Sequence, residues 1–168
     1  NFPIWGMLEK IAVNLMAGVA AVVKPSEYTS YLTELMVKEI IDSKILPEGS
    51  LQLIPGSGKG ILDHVGHNDV VTFTGSASTG KILKSHPNIL ENSVPFNMEA
   101  DSLNACVLGE DVEESSDEFD IFIKEIYREM TAKTGQKCTA IRRILVPENK
   151  IDQVQKALIT KLEKTIIG

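Results

Sequence analysis

The sequence predicts an α/β fold: a doubly wound, mostly parallel, Rossmann-like sheet. Three observations carry that expectation. Short apolar runs stop at Pro or Gly, stretches with helical apolar spacing lie between them, and the connections are short. Strand–helix–strand–helix order of this kind buries a parallel sheet between helices.

The elements follow in order. Residues 7–16 place apolar side chains at Met7, Leu8, Ile11, Ala12, Leu15 and Met16, a helical spacing closed by Gly18. The continuous apolar run 19–23 ends at Lys24-Pro25 and reads as a buried parallel strand. Thr29 or Ser30 caps a helix reaching to about Ser43, with Leu32, Leu35, Met36 and Ile40 on one face. Pro47-Glu48-Gly49 is a turn, 51–54 a strand stopped by Pro55-Gly56, and 61–65 a short helix. Residues 70–74 form a strand, and Gly75-Ser76 opens the next helix. Beyond Asp101 the expected elements are a strand at 105–108 and an amphipathic helix at 119–134. Phe119, Phe122, Ile123, Ile126 and Met130 line its inner side and Gly135 stops it. A strand at 141–146 and a helix at 151–166 complete the chain. A boundary near 99–102 divides it into residues 1–100 and 101–168.

The 168 residues are 43% hydrophobic and 24% charged, an ordinary composition that can bury one core. A net charge of -6, scattered basic residues and 5% aromatics argue against nucleic acid as a partner. The acidic run 110–114 reads as a solvated loop before a helix. Two cysteines make no disulfide scaffold, and Cys106 lies in an apolar run as a small hydrophobe would. No stretch reads as a membrane span or a secretory signal, so a reducing cytoplasm is expected. The chain opens on Asn1, already within a motif, and is read as an internal segment of a longer protein. His64, His67 and His86 lack the further ligands of a metal site, and none is expected.

Four stretches carry chemistry together. Asn1-Phe2-Pro3 offers a side-chain amide as an oxyanion donor. Lys24-Pro25-Ser26-Glu27 leaves two charged side chains at a strand's carboxyl end, where ligands of such sheets sit. Phe73-Thr74-Gly75-Ser76 runs a strand into a helix start, whose free N–H groups and dipole favour an anion, and Gly80 lets that helix approach the sheet. Alone, this is equally an ordinary N-cap. Glu99 is a candidate base and Cys138, in Gln136-Lys137-Cys138, a candidate thiol nucleophile. A single cysteine in a loop also fits a structural role. The run Pro55-Gly56-Ser57-Gly58-Lys59-Gly60 lacks P-loop spacing and has no Ser or Thr after its Lys.

The order and content of these stretches resemble the aldehyde dehydrogenase family over nearly the whole chain. The resemblance implies that Cys138 forms a thioester, that Glu99 activates the deacylating water, and that the Asn1 amide joins the Cys138 N–H at the oxyanion. It implies that Lys24 and Glu27 bind the adenosine ribose of NAD or NADP. Gly75 and Ser76, with Gly80 behind them, would face the pyrophosphate, and Pro55 and Gly56 would lie near the adenine. Where most of the family has Leu-Gly-Gly after the Glu, this chain has Ala100-Asp101-Ser102. The stretches 97–104 and 135–143 are similar to one branch, the dehydrogenase half of a bifunctional phenylacetate ring-opening enzyme acting on a CoA-linked semialdehyde. The resemblance then implies a small-molecule aldehyde as substrate, a homo-oligomer, and a hot-dog hydratase domain beyond Gly168. Two other readings stay open: a nucleotide-binding or structural segment with Cys138 inert, and a related enzyme running thioester to aldehyde.

Overall fold

The computed structural model describes residues 2–167. They form two compact units that meet in sequence between Ala100 and Asp101.

In the first unit α1 (Pro3–Met16) starts on Pro3, a position where the missing N–H costs no helical bond, and buries Met7 and Ile11. Parallel strands cannot be joined by a tight turn and need a crossover. Accordingly β1 (Ala21–Val23) and β2 (Leu51–Leu53) pair in parallel, Ala21 opposite Leu51, with α2 (Ser30–Asp42) between them in sequence. Likewise β3 (Val71–Gly75) and β4 (Phe96–Ala100) pair in parallel across α3 (Ala77–Lys84) and α4 (Pro87–Glu91). The second unit repeats the plan: β5 (Ala105–Val107) pairs in parallel with β6 (Arg143–Leu145) across α5 (Asp117–Thr131), and α6 (Ile151–Leu162) packs on α5. The α/β class with parallel strands is as expected. Among the described residues each pair is its own two-stranded ladder.

Several expectations are corrected in detail. The apolar run 19–23 is not buried throughout, because Val19 and Val22 are each 56% exposed. Alternation along β1 turns Ala21 into the core and leaves Val22 on the opposite face, exposed among the described residues. On α2 the buried side chains are Thr33 and Val37, flanked by Met36 and Ile40, whereas Leu35 is exposed. Helix α5 ends at Thr131, not 134, and Met130 is exposed while Glu129 is buried. Both positions border the same apolar stripe. Glu129 takes the inner place because a partner, Lys137, returns over the end of the helix.

The core of the second unit is Leu108, Phe119, Phe122, Ile123, Ile126 and Val154. Ile126 is wholly buried at its centre. Truncating it removes transfer free energy and leaves a cavity, so Ile126→Ala is expected to cost about 2–5 kcal/mol of unfolding free energy by urea titration. A cost below about 1 kcal/mol would mean that this cluster is not the core of the unit.

Candidate active site

Side chains alternate along β3 and β4, and the alternation sorts the candidates. Phe73 and Met98 are register partners, and both lie against Gly80 of α3. A Cβ on Gly80 would stand 2.4 Å from Met98 Sδ and 3.2 Å from the Phe73 ring. A side chain there would have to displace the Met98 thioether and crowd the Phe73 ring, so glycine eases the close packing of α3 on this pair. Thr74 and Glu99, the next pair, point to the opposite face. There Lys10 Nζ of α1 donates to Glu99 Oε2 at 2.8 Å. The Glu99 carboxylate raises the Lys10 pKa, chiefly through that hydrogen bond, with burial opposing it. Glu99 is half exposed. It is therefore an accessible carboxylate at the end of a strand, held by an ammonium. Sequence reading missed both β4 and Lys10. The stretch Phe96–Ala100 has no β-branched residues, and Lys10 sits on the flank of an amphipathic helix, where a charge reads as solvated.

The cofactor candidates form two groups in the first unit. Lys24 follows β1 and lays its side chain along Gly58, in the loop after β2, where an added Cβ would come within 3.3 Å of the Lys24 stem. Pro55 and Gly56 lie in that same loop, exposed, and Glu27 opens the short 3-10 helix Glu27–Thr29 after Pro25. The second group is at the β3–α3 junction. Gly75 ends β3, and Ser76 is the N-cap, its Oγ accepting from Thr79 N at 3.3 Å. The ordinary N-cap reading thus holds. Exposed cationic and N–H donors at the carboxyl ends of parallel strands are chemistry that fits a dinucleotide.

The second unit holds the thiols. Cys106 on β5 packs against the core, and burial pushes its thiol pKa up. Cys138 is exposed. It lies on a loop with unusual backbone: Lys133, Thr134 and Gly135 have φ of 52°, 54° and 70°. The two non-glycine residues cost about 1–2 kcal/mol each in the left-handed region. At Gly135 a Cβ would also stand 3.3 Å from the Met130 carbonyl oxygen, so glycine alone suits that position. Side chains clamp the loop beyond it. Asn104 Nδ2 donates to the carbonyls of Cys138 at 2.6 Å and Ala140 at 3.1 Å. Arg142 Nη2 donates to the Lys137 carbonyl at 3.0 Å while its Nε donates to Ser102 Oγ at 3.1 Å. Lys137, next to the thiol in sequence, turns inward and donates to Glu129 Oε1 at 2.7 Å. Asp101, in the stretch that replaces Leu-Gly-Gly, has φ 56°. An aspartate there tolerates the left-handed conformation that glycine adopts freely.

The ion pair has an acid signature. Lys137 holds the Glu129 carboxyl below the usual carboxylate range, mainly through the hydrogen bond, against the opposing effect of burial. A folded pKa below the unfolded one makes the contribution complete above the unfolded value. It is lost as the pH falls through the folded value. The urea midpoint is therefore expected to drop as the pH falls below about 4.5, and to drop less in Lys137→Met. Equal drops in the two proteins would remove this pair from the acid response.

Asn1 lies outside the described residues. Glu99 belongs to the first unit and Cys138 to the second. Two open surface hollows of the second unit, one lined by Glu110, Pro147, Glu148 and Asn149, contain none of the candidates. No group of three potential metal ligands occurs among the described residues, and no described helix is long and apolar enough to cross a membrane.

The model of the Aldehyde dehydrogenase family matches residues 1–168. The chain belongs to the aldehyde dehydrogenase family. Among its aldehyde dehydrogenase relatives is the 3,4-dehydroadipyl-CoA semialdehyde dehydrogenase of Aromatoleum evansii. It is 46% identical over 168 residues, all of this chain and 33% of that protein. A crystal structure of betaine aldehyde dehydrogenase from Staphylococcus aureus in complex with NAD+ superposes with a TM-score of 0.83 at 31% identity, over 97% of this chain and 31% of that one. A structure of lactaldehyde dehydrogenase gives a TM-score of 0.84 at 25% identity, over 100% and 34%. The chain spans about a third of the length of the curated relatives it matches.

Proposed function

We propose that this chain carries the nucleophile, the base and a large part of the dinucleotide grip of an NAD(P)-dependent dehydrogenase that oxidises an aldehyde to an acid. The observation that supports it most is the contrast between the cysteines: Cys106 is packed on the core, and Cys138 is exposed on a strained, clamped loop. In this reading the Cys138 thiolate adds to the aldehyde carbonyl. The Asn1 amide and the Cys138 N–H donate to the oxyanion. The dinucleotide, when bound, supplies the acceptor for the hydride that the hemithioacetal gives up. Glu99 takes a proton from the water that attacks the thioester, and the acid departs as the thiol is restored. Lys24, Glu27, Pro55, Gly56, Gly75 and Ser76 are assigned to dinucleotide binding, with Gly80 shaping the helix behind Ser76. The substrate class we assign is a CoA-linked semialdehyde. This is supported by the 46% identity to a dehydrogenase whose name specifies one and by the branch-like stretches 97–104 and 135–143.

Glu27 is assigned to the ribose hydroxyls, which favours NAD. The 2′-phosphate of NADP would set like charge beside it, costing roughly 4 kcal/mol at 4 Å in a dielectric of 20 and less where water enters. Lys24, three residues earlier, offsets part of this. Glu27→Ser is expected to move the ratio of kcat/KM for NAD over NADP toward NADP by about tenfold, or about 1.4 kcal/mol. A ratio unchanged by the substitution would mean that Glu27 does not read the ribose.

The test of the whole reading is selective alkylation of Cys138 in the full-length protein. Loss of aldehyde-dependent NAD(P)H formation that saturating aldehyde protects against is expected. Retained activity after complete modification of Cys138 contradicts it.

A further inference from the structure

Glu129 occupies a place on the buried stripe of α5 where the pattern calls for an apolar residue, and it is only 7% exposed. Its Oε1 accepts from Lys137 Nζ at 2.7 Å and lies 3.6 Å from Arg128 Nη2. Its Oε2 meets no hydrogen-bond partner among the described residues. A buried ion pair is weak support for stability, since apolar residues of similar volume often do as well or better. Its best-attested use is to fix one register among several. The register at issue here is that of a loop. Lys137 immediately precedes Cys138 and closely follows three left-handed residues. Backbone of that kind persists only when its surroundings over-determine it. Lys137 is held at both ends, its ammonium by Glu129 and its carbonyl by Arg142.

We propose that Glu129 is a positioning residue for Cys138. It acts through the Lys137 ammonium to hold the left-handed turn in the conformation that presents the thiol. Glu129 is too buried to touch substrate, and Lys137, bound inward, is not the cation that activates the sulfur. What the pair supplies is direction. The consequence for turnover rests on the thioester reading above. The orientation of the thiol does not, and it can be measured separately.

The experiment uses the full-length protein with Glu129→Gln, Lys137→Met, and the double replacement Glu129→Met/Lys137→Met. Two readouts are taken per folded molecule: the second-order rate of Cys138 alkylation by iodoacetamide, followed on the Cys138 peptide by mass spectrometry, and kcat with KM. Misplacing a reacting atom by about 1 Å costs about 10²-fold, so kcat is expected to fall by about that factor while KM for the dinucleotide stays within about twofold. The alkylation rate should change in all three proteins. The double replacement should lose no more than either single one, because all three proteins lack the same contact. A merely structural Glu129 would lower the melting temperature and leave alkylation and kcat per folded molecule at wild-type values, which overturns the proposal. If Glu129→Gln does not fold, the apolar double replacement fills the same space and decides the matter: wild-type alkylation and kcat there overturn it as well. Failure of the thioester reading would show separately, as aldehyde oxidation that survives loss of Cys138.

Discussion

Replacing Cys138 by alanine is expected to abolish aldehyde oxidation in the full-length protein, lowering kcat by about 10⁴-fold or more, as loss of a covalent nucleophile does. No thioester can form on a methyl group, and the other thiol of this chain is poorly placed to serve. Cys106 lies against the core of the second unit, with its pKa raised by burial. Because Cys138 is exposed, its replacement should leave stability within about 0.5 kcal/mol. Cys106→Ala should behave in the opposite way, keeping turnover and losing about 1 kcal/mol of stability through a small cavity. Steady-state assays and urea titrations of the two variants check this crossed pattern. Full turnover by Cys138→Ala would remove the mechanism.

Glu99→Gln is expected to separate the two halves of the reaction. If Glu99 is the base for the deacylating water, steady-state turnover should fall by about 10²-fold or more. The first turnover, up to the thioester, should survive as a burst of reduced dinucleotide in rapid mixing. The contact with Lys10 sharpens the expectation. Glutamine keeps the shape of the side chain and can still accept from Lys10 Nζ, now 2.8 Å from Glu99 Oε2, so β4 and α1 should stay in register. Loss of both burst and steady state would assign Glu99 to activation of the thiol instead.

The strands and helices were legible where one physical signal dominated. Apolar runs stopped by Pro or Gly gave β1, β2 and β3 to within two residues. The spacing of Phe119, Phe122, Ile123 and Ile126 gave the buried face of α5. The reading failed where tertiary partners decided. Phe96–Ala100 is a strand because β3 supplies its ladder, not because Asn97, Met98 and Glu99 favour one. Glu129 is buried because Lys137 meets it from a loop eight residues on. The left-handed turn at Lys133 and Thr134 had no sequence signal, since neither residue prefers that conformation; only Gly135 hinted at it. At the candidate site, the residues were proposed from motifs and their order. The contacts that hold them, Lys10 on Glu99 and Asn104 on the Cys138 carbonyl, depend on pairs 89 and 34 residues apart and were not.

The most direct test of the central claim is the mass of the Cys138 peptide from the Glu99→Gln protein. The protein would be mixed with aldehyde and dinucleotide and quenched in acid after the burst. The thioester reading predicts an acyl adduct on Cys138 in amounts matching the reduced dinucleotide formed. A burst of reduced dinucleotide with Cys138 unmodified, or with the acyl group on another residue, would contradict it.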